Sequence, residues 1–277
     1  MKRRISITLD ENVTANLDKL VDGLRIRSRS HAVEKILREH LLENRTAVIL
    51  AGGDPRKLQV TGLNLYRPFV NVDGKMLIED IVSKVRESGF SNIVVVGFPI
   101  IVSKIYEVLG NGAKYGVNIH YVEESQETGT AKSLELAKDY LGNDFLFLPC
   151  DQYFDFDLKK LYQFHLQQNG IATLGVHTST SFDWRSGVIQ MDGYKIIGFE
   201  EKPENPKTRL RSAFVGFMKK EIFDYIPPGK VYWSLQDKVF PKLANENKLV
   251  GYPVAGNWVN VHTKDDVKKV IKIKNKS

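Results

Sequence analysis

Residues 1–45 hold one strand-like run and two helix-like stretches, and nothing else with a regular pattern. In Arg4-Ile5-Ser6-Ile7-Thr8-Leu9 polar and apolar side chains alternate with period two, which predicts a strand with one greasy face and one face able to hydrogen-bond. Asp10 is placed to cap a helix in which Val13, Leu17, Leu20 and Val21 recur at helical spacing as far as Gly23. Ser28 or Ser30 caps a second helix carrying Val33, Ile36, Leu37 and Leu41 along one side. A strand and two helices of this length cannot enclose a core, and a lone strand leaves its backbone groups without partners. A second copy of the segment is the natural remedy, so residues 1–45 are expected to form a homodimer through the strand.

The chain changes character beyond Arg45. Short apolar runs alternate with longer helical periods, the pattern of a largely parallel sheet with helices on its faces. Thr46–Ala51, Asn92–Gly97, Asn118–Val122 and Asp144–Pro149 read as strands, and Ile78, Ile81, Val82 and Val85 mark one side of a helix. After residue 171 strands crowd together (Ile171–Val176, Gly187–Met191, Lys195–Phe199, Ser212–Met218), which predicts mixed pairing there. The expected organisation is α/β, with one domain at 1–45 and a second at 46–277. The basic tail from Lys268 to Ser277 reads as a solvated helix end.

Composition removes several classes of protein. The apolar run Ile93–Val102 is interrupted by glycine and proline and is far shorter than the roughly 20 residues that span a bilayer, so no membrane association is expected. No apolar stretch follows the charged residues 1–9, as a secretory signal would require. A single cysteine, Cys150, permits no internal disulfide and fits a reducing cytoplasm. The 40 basic residues outnumber the 33 acidic ones, and residues 1–45 contribute ten basic against seven acidic, a bias toward an anionic partner.

The first segment resembles the ribbon-helix-helix DNA-binding proteins of the Arc and MetJ group, on its Arg4-x-Ser6-x-Thr8 strand, its helix spacing and Ser28-Arg29-Ser30 at the second helix start. In that group two strands form a ribbon in the major groove. The resemblance implies double-stranded DNA as partner, with Arg4, Ser6 and Thr8 facing the bases and Arg29 and Ser30 at the phosphates. A dimerisation arm with a solvated basic face is the alternative reading of the same residues.

The remainder carries Leu50-Ala51-Gly52-Gly53 after the first strand, Lys75, Gly129-Thr130-Ala131, Phe145 to Asp151, Phe199-Glu200-Glu201-Lys202-Pro203, and Gly256 to Thr263, in that order. Together these resemble the sugar-1-phosphate nucleotidyltransferases, the family of glucose-1-phosphate thymidylyltransferase and mannose-1-phosphate guanylyltransferase. The resemblance implies a Rossmann-like domain with a mixed, mostly parallel sheet. It places Ala51, Gly52, Gly53, Lys57, Gly129 and Thr130 at the nucleotide, and Glu201 and Lys202 at the sugar or sugar phosphate. If the domain is active, Lys57, Arg67 and Asp151 are its catalytic residues and Mg²⁺ its cofactor, with Asp151 and, more weakly, Asn260 as ligands.

Such chemistry aligns two anions and neutralises their charge, so the departures from the family pattern matter. Lys57 stands for the signature arginine and Arg67 for a lysine, which keeps charge but changes geometry. Pro55 removes a backbone donor from the loop that wraps the triphosphate. Asn260 stands where the second metal aspartate belongs, and Phe214 where a glycine of the sugar site is expected. Cys150 reads as a small strand-end residue, His165 and His262 as surface or packed histidines, and Trp258 as core. These residues predict a DNA-binding transcriptional regulator whose second domain senses a nucleotide sugar or sugar phosphate with weak or no catalysis. The alternative is an active sugar-1-phosphate nucleotidyltransferase with a DNA-binding or dimerisation appendage.

Overall fold

The computed structural model describes residues 6–23, 26–43, 45–179 and 186–275, and the chain divides into two compact units, Met1–Asn44 and Arg45–Ser277. In the first unit helix α1 spans Glu11–Leu20 and helix α2 spans Arg29–Glu43. Asp10 caps α1 by accepting the Asn12 N–H at 2.8 Å. Of the two candidate serines it is Ser28 whose hydroxyl accepts at the start of α2, from the His31 N–H at 3.2 Å.

The core of this unit is Leu17, Ile26 and Ala32, with Val21 and Val33 packed against it. Ile7, Leu9, Val13, Leu20, Ile36 and Leu37 stay exposed, Ile7 by 53% and Leu37 by 45%. The side chain of Leu41 lies outside the described set. Residues 6–10 are exposed and form neither helix nor strand, in contrast to the strand expected over Arg4–Leu9. A strand exists only against another, and among the described residues of this unit there is no other strand for it to pair with. Arg4 lies outside the described residues.

The second unit begins with strand β1 (Arg45–Ala51), then the short hairpin β2 (Asn71–Val72) and β3 (Lys75–Met76), helix α3 (Leu77–Glu87), β4 (Phe90–Gly97), α4 (Pro99–Leu109), β5 (Asn118–Glu123), α5 (Thr130–Leu136) and β6 (Asp144–Pro149). It continues through β7 (Gln152–Phe154), α6 (Leu158–Gln167), β8 (Ala172–Thr178), β9 (Val188–Asp192), β10 (Lys195–Glu200), β11 (Leu210–Lys219), α7 (Phe240–Asn245), β12 (Leu249–Pro253), β13 (Trp258–Asn260) and α8 (Lys264–Lys274). Nine strands form one sheet in the order β5-β4-β1-β6-β11-β8-β12-β10-β9. The ladders among β5, β4, β1 and β6 are parallel, β11 runs antiparallel to both β6 and β8, and β12 is again parallel to β8.

Strand β1 lies among parallel neighbours and reads as an unbroken apolar run because both of its faces are covered. Val48, Leu50, Val94, Val96 and Phe147 form one core with Ala131 and Leu134 of α5 and Leu243 of α7. Helix α6 packs Tyr162 on Phe90 and Phe217. His165 is fully buried, its ring nitrogens 2.8 Å from Thr173 Oγ1 and 3.1 Å from Asp144 Oδ1, so it is a packed histidine.

The basic tail corrects one expectation. Lys268 pairs with Asp265 at the surface, but Lys274 turns inward to Asp80 at 2.8 Å and fastens α8 to α3. Asp80 also takes Lys84 at 2.6 Å, and the two lysines hold its carboxyl below the usual range against the cost of burial. A helix end that a buried carboxylate needs as counter-ion is not simply solvated.

Candidate functional site

The strand order reverses at β1, with β4 on one side and β6 on the other, and open α/β sheets place ligands outside the carboxyl ends of strands at such a point. A cleft of about 330 Å³ lies there. Gly52 and Gly53 leave β1 into it. A Cβ on Gly52 would stand 2.2 Å from Glu124 Oε2, and Gly53 has φ +90°, so both positions need glycine. Glu124 is buried and receives hydrogen bonds from Ser133, Thr128 and the Gly53 backbone, while burial pushes its carboxyl up. Ala51 is fully buried and does not line the cleft. Gly129, with φ +90°, and Thr130 open α5 on the opposite wall, where the Thr130 hydroxyl donates to Gln236 at 2.7 Å.

The loop after Gly53 forms a 3-10 turn over Pro55–Leu58 capped by Asp54. Asp54 also takes the Arg56 guanidinium at 2.7 Å, and Lys57 reaches across the cleft to Glu127 Oε1 at 3.0 Å. At the end of β6 stands Asp151, whose Oδ2 accepts from Arg67 Nη1 at 2.9 Å with both side chains mostly buried, 15% and 11% exposed. His262 Nε2 is 3.7 Å from the same oxygen, and burial holds its imidazole below the ordinary histidine range. Strand β13 pairs with β7 so that Asn260 lies opposite Gln152, beside Asp151. Asn260 Oδ1 is buried without a hydrogen-bond partner.

Glu201 and Lys202 line the same cleft 3.6 Å apart, and burial raises the Glu201 carboxyl against the opposing pull of the lysine. Lys202 has φ +45° and Phe214 φ +50°, the left-handed region that side-chain-bearing residues avoid. Phe214 sits where β11 breaks register, its N–H held by the Ser212 hydroxyl at 3.0 Å. Backbone strain of about 1–3 kcal/mol at such positions persists where surrounding structure imposes it, commonly around ligands.

Lys57, Arg67, Asp151, Glu201, Lys202 and Asn260 are thus brought to one cavity. Lys75 lies exposed on β3 and is not among the lining residues. Trp258 and His262 line the cleft rather than the core or the surface, because Trp258, Asn260 and His262 share one side of an extended segment. Alternation in Trp258-x-Asn260-x-His262 was the available signal. Nothing local marks Glu127, whose partner Lys57 is 70 residues away in sequence, or Glu124, whose contact with the Gly52-Gly53 turn joins two distant segments. Cys150 is buried, and desolvation pushes its thiol well above the usual range, so it is inert.

The donor set does not suit Mg²⁺. That ion demands several oxygens near 2.0–2.1 Å and compensating negative charge. Here the one carboxylate at the expected place is already paired with a guanidinium, and its neighbour is a neutral amide.

In the first unit Ser6, Thr8 and Ser30 are exposed. Arg29, expected at a phosphate, is exposed and clasps Asp18 through two hydrogen bonds of 2.5 and 2.7 Å, joining α2 to α1. Among the described residues no helix is long and apolar enough to cross a membrane.

Residues 46–276 match the nucleotidyl transferase family, and residues 3–43 match the ribbon-helix-helix proteins of the copG family. The chain is 29% identical over 220 residues to the bifunctional protein GlmU of Methanococcus aeolicus, covering 78% of this chain and 51% of that one. It is 30% identical over 224 residues to the mannose-1-phosphate guanyltransferase of Yarrowia lipolytica, covering 77% and 60%. It therefore spans about half to three-fifths of the length of these relatives. Among solved structures, a Bacillus anthracis protein assigned as a glucose-1-phosphate thymidylyltransferase, in complex with a sucrose, superposes with a TM-score of 0.75 at 21% identity over 82% of this chain and 94% of that one. A UDP-glucose pyrophosphorylase complexed with UDP-glucose gives 0.69 at 16% identity over 84% and 99%, and at these identities the likeness is one of fold. The chain belongs to the nucleotidyl transferase family, with a ribbon-helix-helix segment of the copG family ahead of its nucleotidyl transferase domain.

Proposed function

We propose that the protein is a dimeric, cytoplasmic DNA-binding regulator, in which residues 1–45 bind duplex DNA and residues 46–277 bind a nucleotide sugar or sugar phosphate with little or no catalysis. The observation that carries this reading is the pairing of Arg67 with Asp151 beside Asn260, which leaves the catalytic side of the cleft without free negative charge for a divalent cation. The other cations are similarly engaged: Arg56 with Asp54, Lys57 with Glu127, Lys202 with Glu201. A triphosphate carries more charge than so neutral a cleft is built to hold. A sugar, by contrast, supplies hydroxyl donors for Asn260 Oδ1 and for the Glu201 carboxylate.

On the DNA side, the uncovered apolar face of the first unit supports pairing with a second copy, and pairing gives residues 6–9 the strand partner they lack. The ribbon then presents Arg4, Ser6 and Thr8 to base edges, while Ser30 and the α2 N-terminus meet phosphates. Arg29, held by Asp18, positions that N-terminus instead of contacting DNA itself. A two-fold ribbon reads an inverted repeat. Ligand changes DNA affinity only to the extent that it binds the DNA-competent state differently, and a coupling of about 1–3 kcal/mol appears as a roughly 5- to 150-fold shift.

Footprinting against selected sequences, followed by titration of the protected site with and without nucleotide sugars, tests the reading. The expected result is protection of an inverted repeat, loss of sequence preference in Arg4→Ala, and a ligand effect that Lys202→Ala removes. Equal affinity for random DNA overturns it. The second reading, an active sugar-1-phosphate nucleotidyltransferase, is favoured by the convergence of Lys57, Arg67 and Asp151 on one cleft with Glu201 and Lys202. Its reaction joins a nucleoside triphosphate to a sugar 1-phosphate and releases pyrophosphate.

A further inference from the structure

The resemblance to nucleotidyltransferases brings with it an expectation of Mg²⁺, and the cleft does not meet it. Asp151 is the one carboxylate at the end of β6, and its Oδ2 accepts from Arg67 at 2.9 Å, with His262 Nε2 3.7 Å away. Arg67 is itself fixed by the 3-10 turn Arg67–Phe69 and by a long contact from its Nε to the Gln59 carbonyl at 3.4 Å. Asn260, opposite, adds no charge.

We propose that Arg67 is a resident cation that replaces the divalent metal, so that this cleft binds the diphosphate of a nucleotide sugar without any metal ion. The inference rests on the sensor reading above and deepens it by stating how the diphosphate is held. Three features of the site support it. Among the described residues Arg67 Nη2 has no partner, which leaves one arm of a planar fork for a phosphate oxygen while Nη1 stays on Asp151. The pair is mostly buried, so the guanidinium acts where water screens it least. Finally, a metal entering beside Asp151 would face the guanidinium held on Oδ2 at 2.9 Å and would find one carboxylate and the neutral Asn260 amide where two carboxylates would balance its charge.

Calorimetric titration of the full-length protein with UDP-glucose, dTDP-glucose and GDP-mannose, each in EDTA and in millimolar Mg²⁺, tests the proposal, together with Mn²⁺ binding followed by electron paramagnetic resonance. The expected result is that whichever nucleotide sugar binds does so with a dissociation constant that differs by less than about threefold between the two conditions, and weakens at least about tenfold in Arg67→Gln. The ligand-free wild type should bind no Mn²⁺, whereas Arg67→Ala combined with Asn260→Asp should bind it, since that pair of changes frees Asp151 and supplies the second carboxylate. Binding seen only with Mg²⁺, or Mn²⁺ taken up by the wild type, overturns the proposal while leaving the sensor reading intact. Failure of all three nucleotide sugars in both conditions counts against the sensor reading, and the Mn²⁺ measurement still decides the proposal.

Discussion

The two units of this chain solve the problem of burial in opposite ways. Residues 45–277 enclose a continuous core that runs from Val48 through Phe147 to Leu243, with helices laid on the sheet. Among the described side chains of residues 6–43, three apolar ones are buried and six large ones lie in the open. Apolar burial is worth about 25 cal/mol per Å², and only the larger unit has enough of it to offset the chain entropy it must give up. Completeness of a fold is therefore a property of each unit, and on the proposed reading the smaller one is completed by a second copy.

The sharpest way to break this contrast is to separate the units. The fragment 45–277 should melt as it does in the whole protein, while the fragment 1–44 should be unfolded when dilute and gain helical circular dichroism as its concentration rises, because a dimer's stability depends on protomer concentration. A 1–44 fragment that is folded and monomeric would contradict the comparison. Next in size are core truncations. Phe147→Ala should cost the larger unit about 3–5 kcal/mol in urea unfolding without altering the first, and Leu17→Ala about 2–5 kcal/mol in a unit with far less to lose.

A smaller effect follows from pH. Burial holds the His177 imidazole down to about 4, whereas the unfolded chain takes up its proton near 6.5. The unfolded state thus binds the extra proton between those values, so the contribution of His177 is fully present above about 6.5 and is lost as pH falls toward about 4, at up to about 1.4 kcal/mol per pH unit. Urea midpoints measured across this range should fall for the larger unit alone, and His177→Phe should flatten the profile. The smallest effect belongs to the exposed pair Arg29 and Asp18. Arg29→Ala and Asp18→Ala should weaken the first unit by similar small amounts that vanish in high salt, and unequal effects would show that Arg29 has another partner.

Much of the larger unit was legible because its strands are buried on both faces and its helices on one, so periodicity carried the answer: Asp144–Pro149 is a strand with the bounds read from sequence. The short pair β7 and β13 escaped notice, since three-residue strands give periodicity nothing to work on. In the cleft, motif order located Gly52, Asp151, Glu201 and Lys202. Sequence could not disclose that Arg67 reaches Asp151 across 84 positions, that Lys57 meets Glu127 across 70, or that Phe214 adopts a backbone conformation suited to the glycine expected there. The strand at Arg4–Leu9 shows the converse. Its alternation is plain in the sequence, but residues 6–9 form no strand, and on the proposed reading the hydrogen bonds they need come from a second chain.

Pyrophosphate release tests the central claim most directly. The full-length protein would be incubated with each nucleoside triphosphate, a panel of hexose 1-phosphates and Mg²⁺, and pyrophosphate would be followed continuously. A cleft in which Arg67 already holds Asp151 and Asn260 replaces a carboxylate should give no more than background release. Turnover by the unmodified protein at the 1–10³ s⁻¹ typical of enzymes would contradict the account and establish the catalytic reading in its place.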